Sequence, residues 1–377
     1  MKTAADTAWI VARARALGFD LCGVAPAEKF PELADAEEWF ARGFAGEMKY
    51  LGDVRRGDPG RVLAGARSVI VCGMKYDSPL PKSIEFDDET RSGASAEGDD
   101  GPRGWISRYA WGDDYHEVLR SRLNALVAEM GERFLEGFEA LAYADTGPLQ
   151  ERIFAKRAGI GWIGKNSLVL NQQMGSWFFL GVVLTTLELT PSIGKDEAPP
   201  ADLCGSCTRC IEACPTDALI APYEMDAQRC ISYLTIEHRG PIPEEFREAI
   251  GNHVYGCDIC QDVCPWNRRA AITSIAEFQP RKFSESESGT LTSLFRPKLT
   301  ALAAIGEDEY KAAFRGSSIK RTKRRGIVRN ACIALGNAAF ERGGPAHQEA
   351  VAILRQLATS NDAVISESAL WALSRIQ

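Results

Sequence analysis

Eight of the eleven cysteines follow a spacing that is typical of iron–sulfur ligands. The first run, within residues 204–215, matches the C-x2-C-x2-C-x3-C-P pattern, in which the fourth cysteine binds the second of two clusters. The second run, within residues 257–265, keeps the same register, but Val254 stands where its first cysteine would be. Two [4Fe-4S] clusters need eight thiolates, so the isolated Cys230 is predicted to supply the missing one.

The exchange of the fourth cysteine between clusters assigns the two ligand sets. Cluster one is predicted to be bound by Cys204, Cys207, Cys210 and Cys264, and cluster two by Cys214, Cys230, Cys257 and Cys260. Structural zinc is one alternative, but zinc ribbons need neither a Cys-Pro at the end of each run nor an eighth thiolate. Disulfides are the other alternative, and they would require an oxidising compartment. The remaining cysteines, Cys22, Cys72 and Cys332, have apolar neighbours and are predicted to be buried thiols.

The chain carries no pattern of an export signal or a membrane helix. Its first residues, MKTAADTAWIVARARALGF, place arginines inside the apolar stretch. The longest apolar run, 177–187, is far shorter than the roughly 20 residues that a membrane helix needs. We therefore expect a cytoplasmic protein with no membrane partner.

The charge is unevenly distributed. The formal net charge is −7, yet the basic segment, which we define as residues 315–329, contains seven basic residues and no acidic one. Such asymmetry favours an anionic partner, here nucleic acid, over the alternative of a solvated helix face. The predicted contacts are Lys320, Arg321, Lys323, Arg324, Arg325 and Arg329.

The elements that must position these residues suggest three domains, as the length of 377 residues allows. Helical patterns at 7–17, 32–44, 115–130 and 149–157 alternate with strand patterns at 19–24, 68–73, 141–144 and 177–186. This alternation predicts an α/β (α+β) domain over residues 1–195. Residues 84–104 are rich in acidic residues, Gly and Ser, which indicates a mobile surface loop.

The second predicted domain, 196–275, is the ferredoxin-like cysteine region. The third, 276–377, is helical, because ACIAL at 331–335 and ALWAL at 369–373 recur 38 residues apart. That separation is close to the HEAT period of roughly 40 residues.

Five longer strings resemble the epoxyqueuosine reductase family. They are WISRYAWGDDYHEVL (105–119), YADTGPLQER (143–152), GIGWIGKNSLVL (159–170), RCISYLTIEHRGPIP (229–243) and GCDICQDVCPWNR (256–268). The resemblance implies a cobalamin-dependent enzyme with two [4Fe-4S] clusters that reduces epoxyqueuosine to queuosine at the wobble position of tRNA. It also implies a cobalamin domain similar in fold to that of reductive dehalogenases, and an external low-potential electron donor.

The chemistry agrees with that resemblance. Removal of an epoxide oxygen takes two electrons and protons, whereas each cluster passes one electron at a time. A two-electron centre is therefore needed, and GIGWIG at 159–164 lacks the strand and helix that a dinucleotide fingerprint requires. A corrinoid fits this gap.

The resemblance also implies the site residues. Asp145 of the DTGP string would be the proton donor; from the residues alone, it could equally be a helix N-cap. The cobalamin contacts would be Arg56, Arg108, Asp145 and the turn with Lys165, Asn166, Ser167 and Val169, partly through backbone groups, while Tyr115 and His116 would order the fold. The segment 232–238, including Glu237, would lie at the tRNA entrance.

Two other functions compete with this one. A corrinoid reductive dehalogenase of small molecules would explain the clusters but not the basic segment. A non-catalytic redox protein, either a ferredoxin-like carrier or an RNA-binding sensor, would leave the N-terminal domain without a ligand.

Overall fold

The computed structural model describes residues 3–85, 101–283 and 291–377. Its α-helices are α1 Ala4–Ala16, α2 Glu32–Ala41, α3 Pro59–Val62, α4 Tyr115–Arg133, α5 Glu151–Arg157, α6 Arg209–Glu212, α7 Ile231–Ile236, α8 Glu244–Ile250, α9 Ile259–Asp262, α10 Leu299–Ala304, α11 Glu307–Ala313, α12 Lys323–Asn337, α13 Pro345–Ala358 and α14 Ala363–Ile376. Its strands are β1 Leu21–Pro26, β2 Ser68–Lys75, β3 Trp105–Ile106, β4 Ala140–Tyr143, β5 Trp162–Ile163, β6 Val169–Leu170, β7 Phe178–Thr185, β8 Leu219–Ala221, β9 Glu224–Met225 and β10 His253–Tyr255. Most of the acidic loop predicted at 84–104 lies outside the described residues.

A four-stranded sheet in the order β1-β2-β7-β4 organises the N-terminal half. Every pairing in this sheet is antiparallel, so the domain is α+β, the second of the two descriptions in the predicted α/β (α+β) class. Both faces of this sheet are buried, which explains why its strands have the sequence pattern of a parallel sheet. Ile70, Cys72 and Met74 pack under α1 and α4, while Val69 and Val71 face α2 and α5. Strands covered on both faces have continuous apolar sequences, which are more usual in parallel sheets.

The sheet also explains the burial of two cysteines. Cys72 lies on a central strand and is buried, whereas Cys22 lies on the edge strand β1 and is only half-buried. The prediction of a buried thiol therefore holds for Cys72 and not for Cys22.

The C-terminal helices pack around α12, whose residues Gly326 to Gly336 are all buried. Helices α10, α13 and α14 contribute to the same core, and so do Trp105 and Trp111 from the N-terminal half. The ACIAL string lies on α12 and the ALWAL string on α14. The HEAT-like interpretation of these helices stays a prediction. No helix among the described residues is long and apolar enough to cross a membrane.

The cysteine region consists of short helices and a two-stranded β8-β9 hairpin. It is tied to the N-terminal half through the parallel pairing of β10 with β3. The carboxylate of Asp258, between two cysteines, accepts hydrogen bonds from the Trp105 indole at 3.0 Å and the Ser107 hydroxyl at 2.5 Å. These contacts fix the second cysteine run against the rest of the chain.

Candidate functional site

The first predicted ligand set surrounds a cavity of about 220 Å³. Its lining includes the four cysteines of that set, Cys204, Cys207, Cys210 and Cys264. Burial raises the pKa of the Cys210 thiol to about 11, with a further contribution from Cys264 and Cys204. The structure thus brings the late Cys264 to the three early cysteines.

The cysteines of the second predicted set lie near one another and near the first set. Burial raises the pKa of Cys257 well above its ordinary value, and neighbouring Cys260 and Cys230 raise it further. Burial also raises the pKa of Cys260 well above its ordinary value, followed by the charges of Cys230, of Cys210 from the first set and of Cys214. The two groups are therefore adjacent, and all eight thiols are free of disulfide bonds.

Asp145 lies just after β4, in a backbone conformation with φ of 61°. Its side chain is 67% exposed, and Oδ2 accepts a hydrogen bond from the Tyr115 hydroxyl at 3.0 Å. Nε2 of His116 lies 3.5 Å from the same oxygen. Helix α5 is preceded by Gln150 as its N-cap residue, so Asp145 is not the cap of that helix. The carboxylate is instead held at the surface by an aromatic pair.

A chain of charged groups continues behind Asp145. Nδ1 of His116 lies 2.6 Å from Oδ1 of Asp114, and Oδ2 of Asp114 lies 2.8 Å from the Lys320 ammonium. Asp114 is the N-cap of α4, and its side chain is only 4% exposed. The ring of Tyr115 stacks on His116 at 4.0 Å and on Phe179 at 4.4 Å. Packing and capping together fix the imidazole between two carboxylates.

The surroundings determine which of these groups holds a proton. Burial opposes the charge on His116, but hydrogen bonds with Asp114 and Asp145 outweigh it and raise the pKa of His116 to about 9. The surrounding protein atoms would by themselves raise the pKa of Asp145, yet hydrogen bonds with His116 and Tyr115 prevail and lower it. At neutral pH the pair is therefore an imidazolium and a carboxylate.

Glu151 is a second protonated group beside Asp145. Its Oε1 accepts the backbone N–H of Asp145 at 2.8 Å, which stabilises the positive φ. Burial, and then the charge of Asp145, raise the pKa of Glu151 to about 8.

The predicted cobalamin contacts are not all in one place. Arg56 donates to the Leu149 carbonyl at 3.3 Å, and its buried Nε has no partner among the described residues. Ser167 has a φ of 63°, and its carbonyl accepts a hydrogen bond from Arg152, which follows Glu151 in the chain. These residues adjoin the Asp145 loop.

Two predicted contacts serve the cysteines instead. The Lys165 ammonium donates to the carbonyls of Gly205 at 2.6 Å and Cys207 at 3.1 Å, so its side chain supports the first cysteine run. Asn166 lines the cavity of that run, and its Nδ2 is buried without a partner among the described residues. The turn between β5 and β6 points these two side chains to the cysteines, and the predicted cobalamin contacts of this turn, partly through backbone groups, stay predictions.

Arg108 and Val169 are buried. The Arg108 guanidinium donates to the carbonyls of Ser78, Leu80 and Pro81 and pairs with Asp77 at 3.1 Å. Val169 packs in the core beneath the sheet. Both side chains are used inside the fold, and the cobalamin contacts at these two positions stay predictions.

The basic segment divides into exposed and buried residues. Lys320, Arg321, Lys323 and Arg325 are exposed, and Arg324 is half-buried. Arg321 forms an ion pair with Glu237 and lies over the Tyr50 ring at 5.3 Å. Arg325 pairs with Asp362 at 3.0 Å. The charge of Arg321 also lowers the pKa of Asp145, so the segment reaches the Asp145 loop.

Arg329 is a correction to the prediction. It is 1% exposed, and its guanidinium donates to the carbonyls of Leu234, His238 and Gly240 and to Asn330. With these donors used inside the protein, it cannot contact a phosphate. Its position on the buried face of α12 sets it apart from its basic neighbours.

Sequence reasoning missed the roles of Asp114, Glu151 and Tyr50. The DDYH string did carry a signal, since an N-cap aspartate two residues before a histidine is placed to contact its ring. Glu151 and Tyr50 gave none, because their contacts depend on the folding of distant segments.

Comparisons with known proteins agree with the resemblance. Residues 56–146 match the family described as "Epoxyqueuosine reductase QueG, DUF1730", and residues 203–267 match the "4Fe-4S double cluster binding domain". The epoxyqueuosine reductase of Xanthomonas campestris pv. campestris is 37% identical over 365 residues, covering 96% of this chain and 94% of the relative. That of Gloeobacter violaceus is 42% identical over 341 residues, covering 88% and 97%.

Solved structures of this family are also similar. A crystal structure of epoxyqueuosine reductase with an epoxyqueuosine-modified tRNA-Tyr stem loop has a TM-score of 0.82 and 31% identity, and covers 98% of this chain and 89% of that one. The structure from Streptococcus thermophilus has a TM-score of 0.80 and 30% identity, with coverage of 98% and 90%. The similarity extends over nearly the whole chain.

Proposed function

This chain belongs to the epoxyqueuosine reductase family, and we propose that it reduces epoxyqueuosine in tRNA to queuosine. In that reaction the epoxide oxygen leaves as water, taking up two electrons and two protons. The observation that carries the proposal is the Asp145 carboxylate, which is open to a substrate and contacts both Tyr115 and His116. An acid–base pair of this kind can deliver protons, while eight free cysteines in the same chain can hold the electron carriers.

Two [4Fe-4S] clusters held by the eight cysteines would supply these electrons one at a time, and an external low-potential donor would reduce the clusters. We assign cluster one to Cys204, Cys207, Cys210 and Cys264, and cluster two to Cys214, Cys230, Cys257 and Cys260. The four thiols around the 220 Å³ cavity support the first set. The charge of Cys210 contributes to the raised pKa of Cys260, so thiols of the two sets lie close together. This closeness supports a short electron path between the clusters.

We assign the two-electron centre to cobalamin, bound beside the Asp145 loop. The unpartnered Nε of Arg56 supports this assignment, because a corrinoid carries amide and phosphate oxygens that accept from a guanidinium. Ser167 adjoins the same loop through its contact with Arg152. Cobalamin would collect single electrons and supply them to the substrate as a pair.

Asp145 gives its proton to the epoxide oxygen as the C–O bond breaks. For this it must be protonated when the substrate is bound. Tyr115 orients the carboxylate through its hydroxyl, and Glu151 holds the loop through the Asp145 N–H. Removal of water by bound cofactor and substrate would favour the neutral carboxylic acid.

The tRNA is bound by Lys320, Arg321, Lys323, Arg324 and Arg325. Arg321 supports this surface most directly, because its charge acts on Asp145 while its ion pair with Glu237 lies at the protein surface. A stem loop held there would present its wobble base to Asp145. We accordingly assign residues 1–195 to cobalamin binding, 196–275 to the clusters and 276–377 to a HEAT-like tRNA-binding domain.

The test is turnover by protein reconstituted anaerobically with iron, sulfide and cobalamin. With a chemical reductant and an epoxyqueuosine-containing stem loop, the product nucleoside should lack one oxygen atom by mass spectrometry. An aryl halide, offered in parallel, should stay unchanged. Dehalogenation without conversion of the stem loop would favour the reductive dehalogenase instead.

A further inference from the structure

The carboxylate of Asp145 has a protonated neighbour, His116. His116 Nε2 faces Asp145 Oδ2 at 3.5 Å, while the other ring nitrogen is held by Asp114 at 2.6 Å. This arrangement leaves Nε2 as the nitrogen that can exchange a proton with Asp145. We propose that His116 supplies the proton that Asp145 passes to the substrate, and that Asp114 positions His116 for this transfer.

The inference rests on the proposed function and adds the source of the proton. An ionised Asp145 cannot act as an acid, and substrate bound over it would shut out bulk water. In the transfer, the Nε2–H bond of His116 breaks and an O–H bond forms at Asp145 Oδ2. That O–H bond then breaks, an O–H bond forms at the epoxide oxygen and one C–O bond breaks. The second C–O bond breaks as a second proton follows the same route, and two electrons from the reductant leave a C=C bond and water.

The return of the proton is also accounted for. The side chain of His116 is 23% exposed, so the neutral imidazole can take a proton from solvent after the transfer. Neutralisation of Asp145 needs no change in the fold, because the stacking of Tyr115 on His116 holds the ring in either charge state. His116 is therefore a positioning residue that acts through Asp145.

The charges around His116 favour its protonated form. Asp114 and Asp145 flank the ring, and Tyr115 stacks on it without a charge. The cations near the pair, Lys320 on Asp114, Arg321 near Asp145 and Arg56 near Glu151, reduce this preference. The balance still holds the pKa of His116 at about 9.

Glu151 is the competing source of the proton. It is protonated at neutral pH, but its Oε1 faces the backbone N–H of Asp145 and not the carboxylate. His116, in contrast, has a ring nitrogen 3.5 Å from Oδ2 of Asp145.

The first test is a histidine titration by NMR on the full-length protein without cobalamin. The chain has four histidines, so imidazole signals from labelled histidine can be assigned, with His116→Gln identifying the signal of interest. We expect His116 to titrate near 9 and to shift towards the ordinary value of about 6.5 in Asp114→Asn. A wild-type titration at or below about 6.5, or no shift in Asp114→Asn, would overturn the proposal.

The second test is the pH profile of single-turnover reduction of the modified stem loop. Asn retains the capping oxygen of Asp114 but not its charge, so the high-pH loss of rate should move to lower pH. At pH 8 we expect roughly a tenfold lower rate in Asp114→Asn than in wild type, and similar rates near pH 6. The matched control is Asp6→Asn, which removes a carboxylate paired with Arg133 at the opposite end of α4 and should leave the profile in place.

The outcomes distinguish failure of the proton transfer through His116 from failure of the proposed reductase function. A loss by the same factor at every pH would show that Asp114 only stabilises the fold, and the relay would be wrong. A profile that moves in Glu151→Gln but not in Asp114→Asn would assign the proton to Glu151. Absence of wild-type turnover would count against the proposed function, whereas the NMR titration judges the His116 charge independently.

Discussion

Replacement of Lys323, Arg324 and Arg325 with alanine should weaken tRNA binding and make it less sensitive to salt. Lys323 and Arg325 are exposed at the start of α12, and Arg324 is half-buried with Nε on the Ile305 carbonyl. Each cation that contacts a phosphate contributes about 0.7 to 0.9 to the slope of log affinity against log salt. Loss of two or three phosphate contacts should therefore reduce the slope by about 2. The count is not fixed at three because Arg325 must leave its ion pair with Asp362 to contact a phosphate.

That change in slope is large enough to measure. Between about 50 and 200 mM salt, wild-type protein should lose roughly tenfold more affinity than the triple variant. The assay is equilibrium binding of an anticodon stem loop at several salt concentrations. Lys311→Ala is the matched control, because Lys311 is exposed on α11 outside the basic segment. An unchanged slope in the triple variant would remove this segment from the tRNA surface.

Further predictions concern the clusters, a buried arginine and pH. Cys230→Ala should lose about four of eight irons and damage the same cluster as Cys257→Ala, which iron analysis and electron paramagnetic resonance would reveal; two intact clusters would contradict the ligand set. Arg329→Met should lower the free energy of unfolding by about 3 kcal/mol or more in denaturant titrations, because buried carbonyls lose their donors; a stable variant with weaker tRNA binding would instead make Arg329 a phosphate contact. The charge of His116 stabilises the fold fully below about pH 6.5, and this contribution, up to about 3 kcal/mol, is lost as pH rises through about 9. Asp114→Asn should lose most of this dependence in the same titrations, and an unchanged pH dependence would contradict it.

The sequence predicted the elements of the sheet well because their periodicity is local. Strands at 68–73 and 177–186 and the helix at 115–130 agree with β2, β7 and α4 within a few residues. Strand direction is not local information. The two-sided burial of β2 gave it the composition of a parallel strand, although its pairings are antiparallel.

The site was predictable where spacing alone determines it. The cysteine pattern predicted two ligand sets; the four cysteines of the first set line one cavity, and the assignment of the second set stays a prediction. Side-chain contacts were less predictable, because the sequence does not show whether a basic side chain faces solvent or a backbone carbonyl. Arg108 and Arg329 are buried among backbone carbonyls from distant segments, and nothing in their own sequence context distinguishes them from Arg321.

The role of Asp145 as the proton donor is tested most directly by Asp145→Asn in the single-turnover reduction of an epoxyqueuosine-containing stem loop. Asparagine retains an oxygen for the Tyr115 hydroxyl but cannot give up a proton as a carboxylic acid does. We predict a fall in rate of about 100- to 10,000-fold, with both clusters and tRNA affinity retained. A rate close to that of wild type would contradict the account and show that another group protonates the epoxide oxygen.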